Sequence, residues 1–204
     1  VAEGRAVSIA FYEANAETFF QGSVDADMAA GWEAFAALLK PGDRVLDAGC
    51  GSGRDALALS RMGFDVTAME ASPRLAELAR RHTGLPVQVL TFDEIAWREA
   101  FEGIWACASL LHVPRAVLPS AMTRVREALV PGGVWWMSFK YGTEEREVGG
   151  RLFTDLDEAG AEALLAQVGG LDLISMSVTQ DVRPGRAHER WLALLCRRAP
   201  DAWS

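Results

Sequence analysis

The segment VLDAGCGSGRD, residues 45–55, constrains the fold of this chain more than any other part of its sequence. A short apolar run ends in an acid, and three glycines follow at alternate positions: Asp47, then Gly49, Gly51 and Gly53. Glycine tolerates positive φ and lets the backbone approach a ligand without an intervening Cβ. Because a helix resumes directly afterwards, its first backbone N–H groups would face the turn. The pattern therefore predicts a strand, a turn that binds a nucleotide-type cofactor, and a helix.

The acid gives this turn an unusual charge preference. At short range the Asp47 carboxylate would repel a pyrophosphate. A dinucleotide site would have G-x-G-x-x-G, but Arg54 stands at the third glycine position, and the P-loop pattern G-x-x-x-x-G-K-[ST] is missing. We therefore expect a ligand that is positively charged near Asp47. A glycine-rich turn without a ligand is the alternative, and it would carry the entropic cost of three glycines without a reason.

Composition narrows the class of protein. The 204 residues are enough for one domain, and half of them are apolar, as in a globular protein. A net charge of −8 opposes attraction to nucleic acid or anionic lipid. The three cysteines have no C-x-x-C spacing, so we expect neither a disulfide framework nor a metal site.

Localisation and partners follow from the same features. No apolar stretch approaches the length of a membrane span, and the first residues lack the apolar core of a signal peptide. Scattered cysteines fit a reducing compartment. We expect a cytoplasmic protein, monomeric or homodimeric, whose partner is a small-molecule substrate, with no nucleic-acid and no membrane partner.

After the glycine turn, short β-branched or aromatic runs alternate with helical stretches, which is typical of βαβ units on a parallel sheet. The predicted strands are 44–47, 65–69, 87–91, 103–108 and 133–139, and the predicted helices are 55–62, 73–82 and 118–129. Thr154 and Asp157 resemble a capping box that opens a further helix, ending near Val168.

The two ends of the chain read differently. The last apolar runs, 171–178 and 189–196, flank a polar segment with Pro184 and no helix, so they should pair antiparallel. Residues 1–40 contain two aromatic-rich helical stretches, 8–20 and 25–39, which we interpret as a lid over a cofactor-binding core, 44–198. The predicted fold class is α/β: a single domain (1–204) with a Rossmann-like, seven-stranded, mostly parallel sheet, an antiparallel last strand, helices on both faces and an N-terminal helical lid.

The spacing acid-x-G-x-G-x-G over residues 47–53 resembles that of the class I methyltransferases, which use S-adenosylmethionine, and the likeness extends over about residues 44–196. It implies that the glycines cradle the amino-acid end of the cofactor and that Asp47 lies near its ammonium group. Glu70 ends the second predicted strand about 20 residues beyond the glycines, where Rossmann-type folds place an acid that binds the ribose hydroxyls. A solvated loop residue is the alternative for Glu70.

The resemblance implies further cofactor contacts. In the family the loop after the third strand holds the adenine, so Phe92 would stack on the ring and Asp93 would accept from its amine; a core residue and a turn residue are the alternatives. Ala108 and Ser109 resemble the small-molecule branch, whose backbone passes beneath the cofactor. Tyr12 aligns with an aromatic residue that closes over the cofactor, and packing within the lid is the alternative. The other cofactor-binding residues expected on this basis are Cys50, Arg54 and Ala71.

The methyl acceptor is less constrained. No Asn-Pro-Pro or Asp-Pro-Pro motif follows the fourth strand, which disfavours enzymes that methylate nucleobase amines. His112 occupies a position that often faces substrate in the family, and with an ordinary pKa of about 6.5 it is a candidate general base. Capping of the next helix is the alternative for His112.

Cationic residues near the same sheet edge indicate an anionic substrate, since guanidinium groups bind carboxylates and oxyanions bidentately. The residues expected to bind substrate, besides His112, are Lys140, Tyr141, Arg146, Arg151, Arg183 and Arg186. Ordinary surface pairing with nearby acids is the alternative.

The phrases IWACASLLHVP, SFKYG and DVRPGR resemble a set of small bacterial methyltransferases related in name to tellurite resistance proteins. The sequence thus predicts an enzyme that moves the methyl group of S-adenosylmethionine onto a small, anionic molecule by in-line displacement. A non-catalytic regulator that binds S-adenosylmethionine is one alternative. A nicotinamide-dependent oxidoreductase is another, and it would require the absent G-x-G-x-x-G.

Overall fold

The computed structural model describes residues 2–183 and 185–200, so Pro184 of the predicted polar segment lies outside the described residues. The helices are α1 (Ala2–Ala14), α2 (Ala16–Ser23), α3 (Ala29–Ala36), α4 (Arg54–Arg61), α5 (Pro73–Thr83), α6 (Leu118–Ala128) and α7 (Glu158–Val168). The strands are β1 (Arg44–Ala48), β2 (Asp65–Glu70), β3 (Val87–Val89), β4 (Phe101–Ala106), β5 (Leu129–Lys140), β6 (Glu145–Val148), β7 (Arg151–Thr154), β8 (Leu171–Gln180) and β9 (Arg190–Arg198). None of the described helices combines the length and apolar character that a membrane span requires.

Seven strands form one sheet in the order β3-β2-β1-β4-β5-β9-β8. Neighbours from β3 to β5 pair in parallel, whereas β9 pairs antiparallel with both β5 and β8. The predicted fold class is confirmed, including the antiparallel last strand. Because the strand order reverses between β1 and β4, the connections leave these strands in opposite directions and open a crevice at the carboxyl edge, where ligands bind in such sheets.

Three helices precede the sheet, where two were predicted. The predicted helix over 8–20 is interrupted at Asn15, whose side-chain amide donates to the Phe11 carbonyl (2.8 Å). Such local side-chain bonds compete with continued helix. The third helix, α3, packs on the sheet through Phe35, whose ring centroid lies 5.5 Å from that of Trp105. The predicted lid is therefore a set of short helices docked on the core.

A two-stranded hairpin, β6–β7, follows the fifth strand and was not predicted. Its turn is Gly149–Gly150, with φ of 58° and 74°. Positive φ at both central residues is the requirement of a two-residue hairpin turn, so this glycine pair was a readable signal. The hairpin brings Arg146 and Arg151 over the end of the sheet and against the lid.

The predicted capping role of Thr154 is wrong. Thr154 belongs to β7, and its hydroxyl donates to the Val113 carbonyl (2.9 Å). Asp157 caps α7 by itself, accepting from the Gly160 amide (2.8 Å). The sequence has the spacing of a capping box, but its first residue, Thr154, belongs to β7 and not to the start of α7.

Gly103 tests how α3 is seated on the sheet. A Cβ at this position would lie 2.7 Å from Cζ of Phe35 and 2.8 Å from Cδ1 of Leu39. We expect Gly103→Ala to lower the free energy of unfolding by about 1–3 kcal/mol through overpacking. Urea unfolding measures the change.

Gly22→Ala is the matched control. A Cβ at Gly22 in α2 would meet nothing within 4 Å. It should leave the protein unchanged or more stable by up to about 1 kcal/mol, because alanine favours helix. Equal stability of the two variants would contradict the close packing of α3 on β4.

Candidate active site

A cavity of about 780 Å³ opens at the carboxyl edge of the sheet. Its volume falls in the upper part of the range of roughly 300–1,000 Å³ for ligand sites. The glycine turn and the ends of β2 and β4 form one side, and the lid, the β6–β7 hairpin and the ends of β5, β8 and β9 form the other. The glycine turn and Glu70 mark the predicted cofactor site. We call the part of the cavity that Tyr12, His112, Arg151 and the ends of β5, β8 and β9 line the second compartment.

Asp47 is the penultimate residue of β1 and is 1% exposed. Neither of its carboxylate oxygens accepts a hydrogen bond of normal geometry within the described chain. Burial raises the pKa of Asp47 well above its usual range, and the nearby Asp55 carboxylate adds to the effect. Arg54 and the Ala56 amide offset only part of it. A buried carboxylate without a partner is costly, so this position favours a ligand that brings a positive charge.

The three glycines of the turn have φ of 84°, 56° and 80°, and each has a different neighbour. A Cβ on Gly49 would lie 2.5 Å from Cβ of Ser109, and one on Gly53 would lie 2.6 Å from Cγ2 of Thr83. A Cβ on Gly51 would lie 3.2 Å from the ring of Phe19 in α2. Gly51 thus faces the cavity and the lid, whereas Gly49 and Gly53 let other parts of the chain pack against the turn.

Glu70 ends β2 at the cavity wall and is buried. Its carboxylate accepts from the amides of Gly51 (3.1 Å) and Ser72 (2.9 Å). Burial raises the pKa of Glu70, and these amide bonds oppose the rise. The acid is therefore fixed next to the glycine turn, at the offset expected of a ribose-binding group.

The loop after β3 matches the prediction only in part. Leu90, Thr91 and Phe92 line the cavity, and Phe92 is otherwise packed in the core. Asp93 is exposed in a short 3-10 helix and does not line the cavity. Leu90 and Phe92 present an apolar part of the cavity wall, whereas Asp93 lies outside this wall, and its contact with the adenine stays a prediction.

Tyr12 and His112 form a hydrogen-bonded pair in the second compartment. His112 Nδ1 lies 2.6 Å from the Leu152 carbonyl, which can only accept, so Nδ1 carries the proton. Nε2 therefore accepts from the Tyr12 hydroxyl (2.8 Å). Burial lowers the pKa of His112 to about 4 and raises that of Tyr12. The ordinary pKa expected for His112 is thus wrong: the ring is neutral, a weak base, and already hydrogen-bonded at both nitrogens.

Most of the predicted substrate-binding cations have carboxylate partners. Lys140 pairs with Glu189 and lies 3.8 Å from Asp181, while Arg186 lies 3.6 Å from Glu189. Arg183 binds Asp181 (2.5 Å). Although burial opposes it, these bonds hold the pKa of Asp181 below its usual range.

The hairpin and its surroundings contain the other three predicted substrate residues. Arg146 forms a forked pair with Asp155 (2.6 and 3.3 Å). Tyr141 does not line the cavity: its hydroxyl donates to Glu158 (2.9 Å). Arg151 lines the cavity and makes no ion pair within the described chain, and its buried Nε has no hydrogen-bond partner there. The surface-pairing alternative therefore holds for most of these cations, with Arg151 as the exception.

The lid is tied to the cofactor side by residues that sequence reasoning missed. Trp32 Nε1 donates to Asp55 (2.9 Å), which also binds Arg54 through two hydrogen bonds (2.8 and 2.7 Å). Arg54 in turn lies 3.5 Å from the Cys107 sulfur. Burial raises the pKa of Cys107 to about 12, so it is a thiol at neutral pH. No spacing in the sequence links Trp32 to residue 55, and only the fold could reveal it.

The structure brings most of the predicted site residues to one cavity. Those that line it are Tyr12, Gly49, Cys50, Gly51, Arg54, Glu70, Ala71, Phe92, Ala108, Ser109, His112, Lys140, Arg146, Arg151, Arg183 and Arg186. The predicted residues outside its wall are Asp47, Gly53, Asp93 and Tyr141. In the described part of the chain no group of His, Cys, Asp and Glu side chains could hold a metal ion.

Comparison with known proteins agrees with this geometry. A family profile described as "Methyltransferase domain" matches residues 45–133, which contain the glycine turn, Glu70 and the loop after β4. The matched segment covers somewhat less than half of the chain, and over it the chain resembles S-adenosylmethionine-dependent methyltransferases. The described fold, the unpartnered Asp47 carboxylate and the position of Gly51 in the cavity wall fit the cofactor of that family.

Curated relatives and solved structures extend the comparison. The ubiquinone biosynthesis O-methyltransferase of Xanthomonas campestris is 33% identical over 111 residues, which are 50% of this chain and 45% of that protein. The chain thus spans less than half the length of this relative. A solved 1,6-didemethyltoxoflavin-N1-methyltransferase of Burkholderia thailandensis is 22% identical, with a TM-score of 0.75 over 96% of this chain and 87% of that one.

The predicted likeness to proteins named after tellurite resistance stays a prediction, and a further solved structure shares the fold. A TehB-like methyltransferase of Corynebacterium glutamicum is 20% identical, with a TM-score of 0.67 over 92% of this chain and 99% of that one. Both solved structures share the sheet and helix arrangement with this chain, and at these identities they carry no information about its substrate.

Asp47→Asn separates binding from stability. The substitution keeps the shape and removes the buried charge, so cofactor affinity should fall on the order of 100-fold as the ammonium loses its partner. The cofactor-free protein should become more stable at neutral pH by about 1 kcal/mol or more. Titration calorimetry and urea unfolding measure the two effects.

The contribution of Asp47 to the free energy of unfolding also depends on pH. Because burial raises the folded-state pKa of Asp47, the folded protein binds this proton more tightly than the unfolded chain, so this contribution to stability falls as pH rises. The stability advantage of Asp47→Asn should therefore shrink as the pH falls towards the unfolded-chain pKa of about 3.9. A variant less stable than wild type at neutral pH would contradict the unpartnered carboxylate.

Proposed function

We propose that this protein transfers a methyl group from S-adenosylmethionine to a small, anionic molecule held in the second compartment of the cavity. The observation that carries the proposal is the buried, unpartnered Asp47 carboxylate beside a glycine turn that lines a cavity. When bound, the cofactor supplies an activated methyl group that a nucleophile can take by in-line displacement. The chain's own residues then have to bind, orient and exclude water.

The cofactor half assigns a task to each element. Asp47 would hold the ammonium, and Glu70 would accept from the ribose hydroxyls, since a carboxylate suits both groups. Phe92 and Leu90 would enclose the adenine. Holding donor and acceptor in attack geometry can supply roughly 7–11 kcal/mol of a barrier, so positioning alone accounts for much of the rate.

Neither His112 nor Cys107 supplies a strong base to the acceptor. His112 has a pKa of about 4 and both ring nitrogens are hydrogen-bonded, and Cys107 has a pKa of about 12. Neither can remove a proton efficiently near neutral pH. This supports an acceptor that is already ionised or otherwise nucleophilic when it arrives. The general-base role expected for His112 is replaced by a positioning role: its ring holds the Tyr12 hydroxyl.

The small-molecule class rests on the cavity and on the relatives. Residues of the lid and of the β6–β7 hairpin line the second compartment, and the whole cavity of about 780 Å³ has the size of a small-molecule site. The relatives include a ubiquinone biosynthesis O-methyltransferase, and the Burkholderia structure is titled as holding S-adenosylhomocysteine together with 1,6-didemethyltoxoflavin. A non-catalytic binding protein would have no use for the second compartment.

Calorimetric titration tests the cofactor. S-adenosylmethionine and S-adenosylhomocysteine should bind, whereas NAD should not, because its pyrophosphate would meet Asp47. Glu70→Ala should weaken cofactor binding at least about tenfold by removing charge-assisted hydrogen bonds. The control Glu77→Ala removes an exposed carboxylate on α5 and should bind as wild type does. Binding of NAD alone would overturn the assignment.

Formation of S-adenosylhomocysteine over a panel of small acids, thiols, oxyanions and amines tests the transfer. At least one ionised member should react in the presence of the protein. Reaction confined to neutral amines would contradict the anionic acceptor, and tight cofactor binding with no turnover on any member would favour the regulator.

A further inference from the structure

Arg151 differs from the other cations that line the cavity. Lys140, Arg146, Arg183 and Arg186 each lie beside a carboxylate. Arg151 makes no ion pair within the described residues, and its buried Nε has no hydrogen-bond partner there. Among the cations of the described residues that line the cavity, Arg151 alone has no carboxylate partner within them.

Two phenyl rings hold this guanidinium in place. Its central carbon lies 4.7 Å from the ring centroid of Phe11 in the lid and 5.1 Å from that of Phe153 on β7. Guanidinium groups stack well on aromatic faces and are weakly hydrated, so such a site favours arginine over lysine. The N–H donors lie on the edge of the group: the Tyr12 hydroxyl accepts from this edge, whereas the buried Nε has no partner within the described residues.

The backbone next to Arg151 is fixed from two sides. The Leu152 amide donates to Ser8 Oγ of α1 (2.9 Å), and the Leu152 carbonyl accepts from His112 Nδ1 (2.6 Å). The same His112 holds Tyr12, whose hydroxyl lies near Arg151. Arg151 is therefore anchored between lid, hairpin and the loop after β4, with little freedom to swing into solvent.

An unsatisfied buried donor costs about 1–3 kcal/mol, and more when the group is charged. A ligand that supplies an acceptor removes this penalty, and a flat oxyanion satisfies two guanidinium N–H groups at once. We propose that Arg151 is the specificity-determining residue of the second compartment and that the methyl acceptor carries a planar anionic group, a carboxylate or an oxyanion of the same shape. This inference rests on the proposed function, because it names the acceptor of that same site.

Benzoate and benzamide serve as probes, since they have nearly the same shape and differ in charge. Both are titrated into protein saturated with S-adenosylhomocysteine and, separately, into cofactor-free protein. Wild type should bind benzoate at least about tenfold more tightly than benzamide, as a charge-assisted bidentate contact provides. In Arg151→Gln this ratio should fall to about one, while S-adenosylhomocysteine affinity stays as in wild type.

Two further variants separate charge from geometry. Arg151→Lys keeps the charge but loses the planar fork, so its ratio should lie between those of wild type and Arg151→Gln. Arg81→Gln makes the same chemical change at an exposed helix residue paired with Glu77, and its ratio should match wild type. A wild-type ratio in Arg151→Gln would overturn the assignment, and one in Arg151→Lys would overturn the planar requirement.

The two proposals fail in different ways. If S-adenosylhomocysteine does not bind but the cofactor-free protein prefers benzoate through Arg151, the proposed function is wrong and the anion site remains. If the cofactor product binds and benzoate is not preferred, the methyl acceptor is not a planar anion.

Discussion

The reversal of strand order between β1 and β4 is the constraint on which the rest of this structure depends. It lets the loops after these two strands face each other across a crevice, where Ser109 Oγ donates to the Ala48 carbonyl (2.7 Å). At the same place the backbone of Gly49 comes so close to Ser109 that any side chain would collide with it. The turn can therefore not shift without displacing the loop that leads to His112. The contacts of Ser109 with Ala48 and Gly49 thus link the glycine turn to the loop that leads to His112.

Much of the fold was readable from local pattern. The alternation of apolar runs and helices located every strand of the main sheet, and glycine spacing located the turn. The failures have physical causes. Thr154 matched a cap spacing, but pairing of β7 with β6 placed it in a strand. The hairpin itself was overlooked although Gly149–Gly150 marked its turn. Asn15 broke a helix that apolar periodicity alone would continue, because its side chain bonds to the backbone.

The two halves of the site differ in how far sequence could reach. The cofactor half depends on short spacings within one strand–turn–helix unit and the end of the next strand, which Asp47 and Glu70 illustrate. The acceptor half depends on which distant residues meet. Lys140 pairs with Glu189, which is 49 residues away in the sequence, whereas Arg146 pairs with Asp155, which is 9 residues away. The sequence treats these six residues alike. In the described structure four of them pair with carboxylates, Tyr141 donates to Glu158 outside the cavity, and Arg151 has no carboxylate partner.

The tryptophan pair beneath the cavity has an optical consequence. The rings of Trp105 and Trp136 are nearly parallel (9°) with centroids 3.9 Å apart, and Trp136 also lines the cavity. Indoles this close couple electronically, so we expect the circular dichroism of the pair to depend on the relative orientation of the two rings. Gly31 of α3 packs against both rings. A movement of α3 relative to the sheet should therefore change this circular dichroism signal. The stacked tryptophan pair therefore gives an intrinsic spectroscopic signal for the position of the lid relative to the cavity.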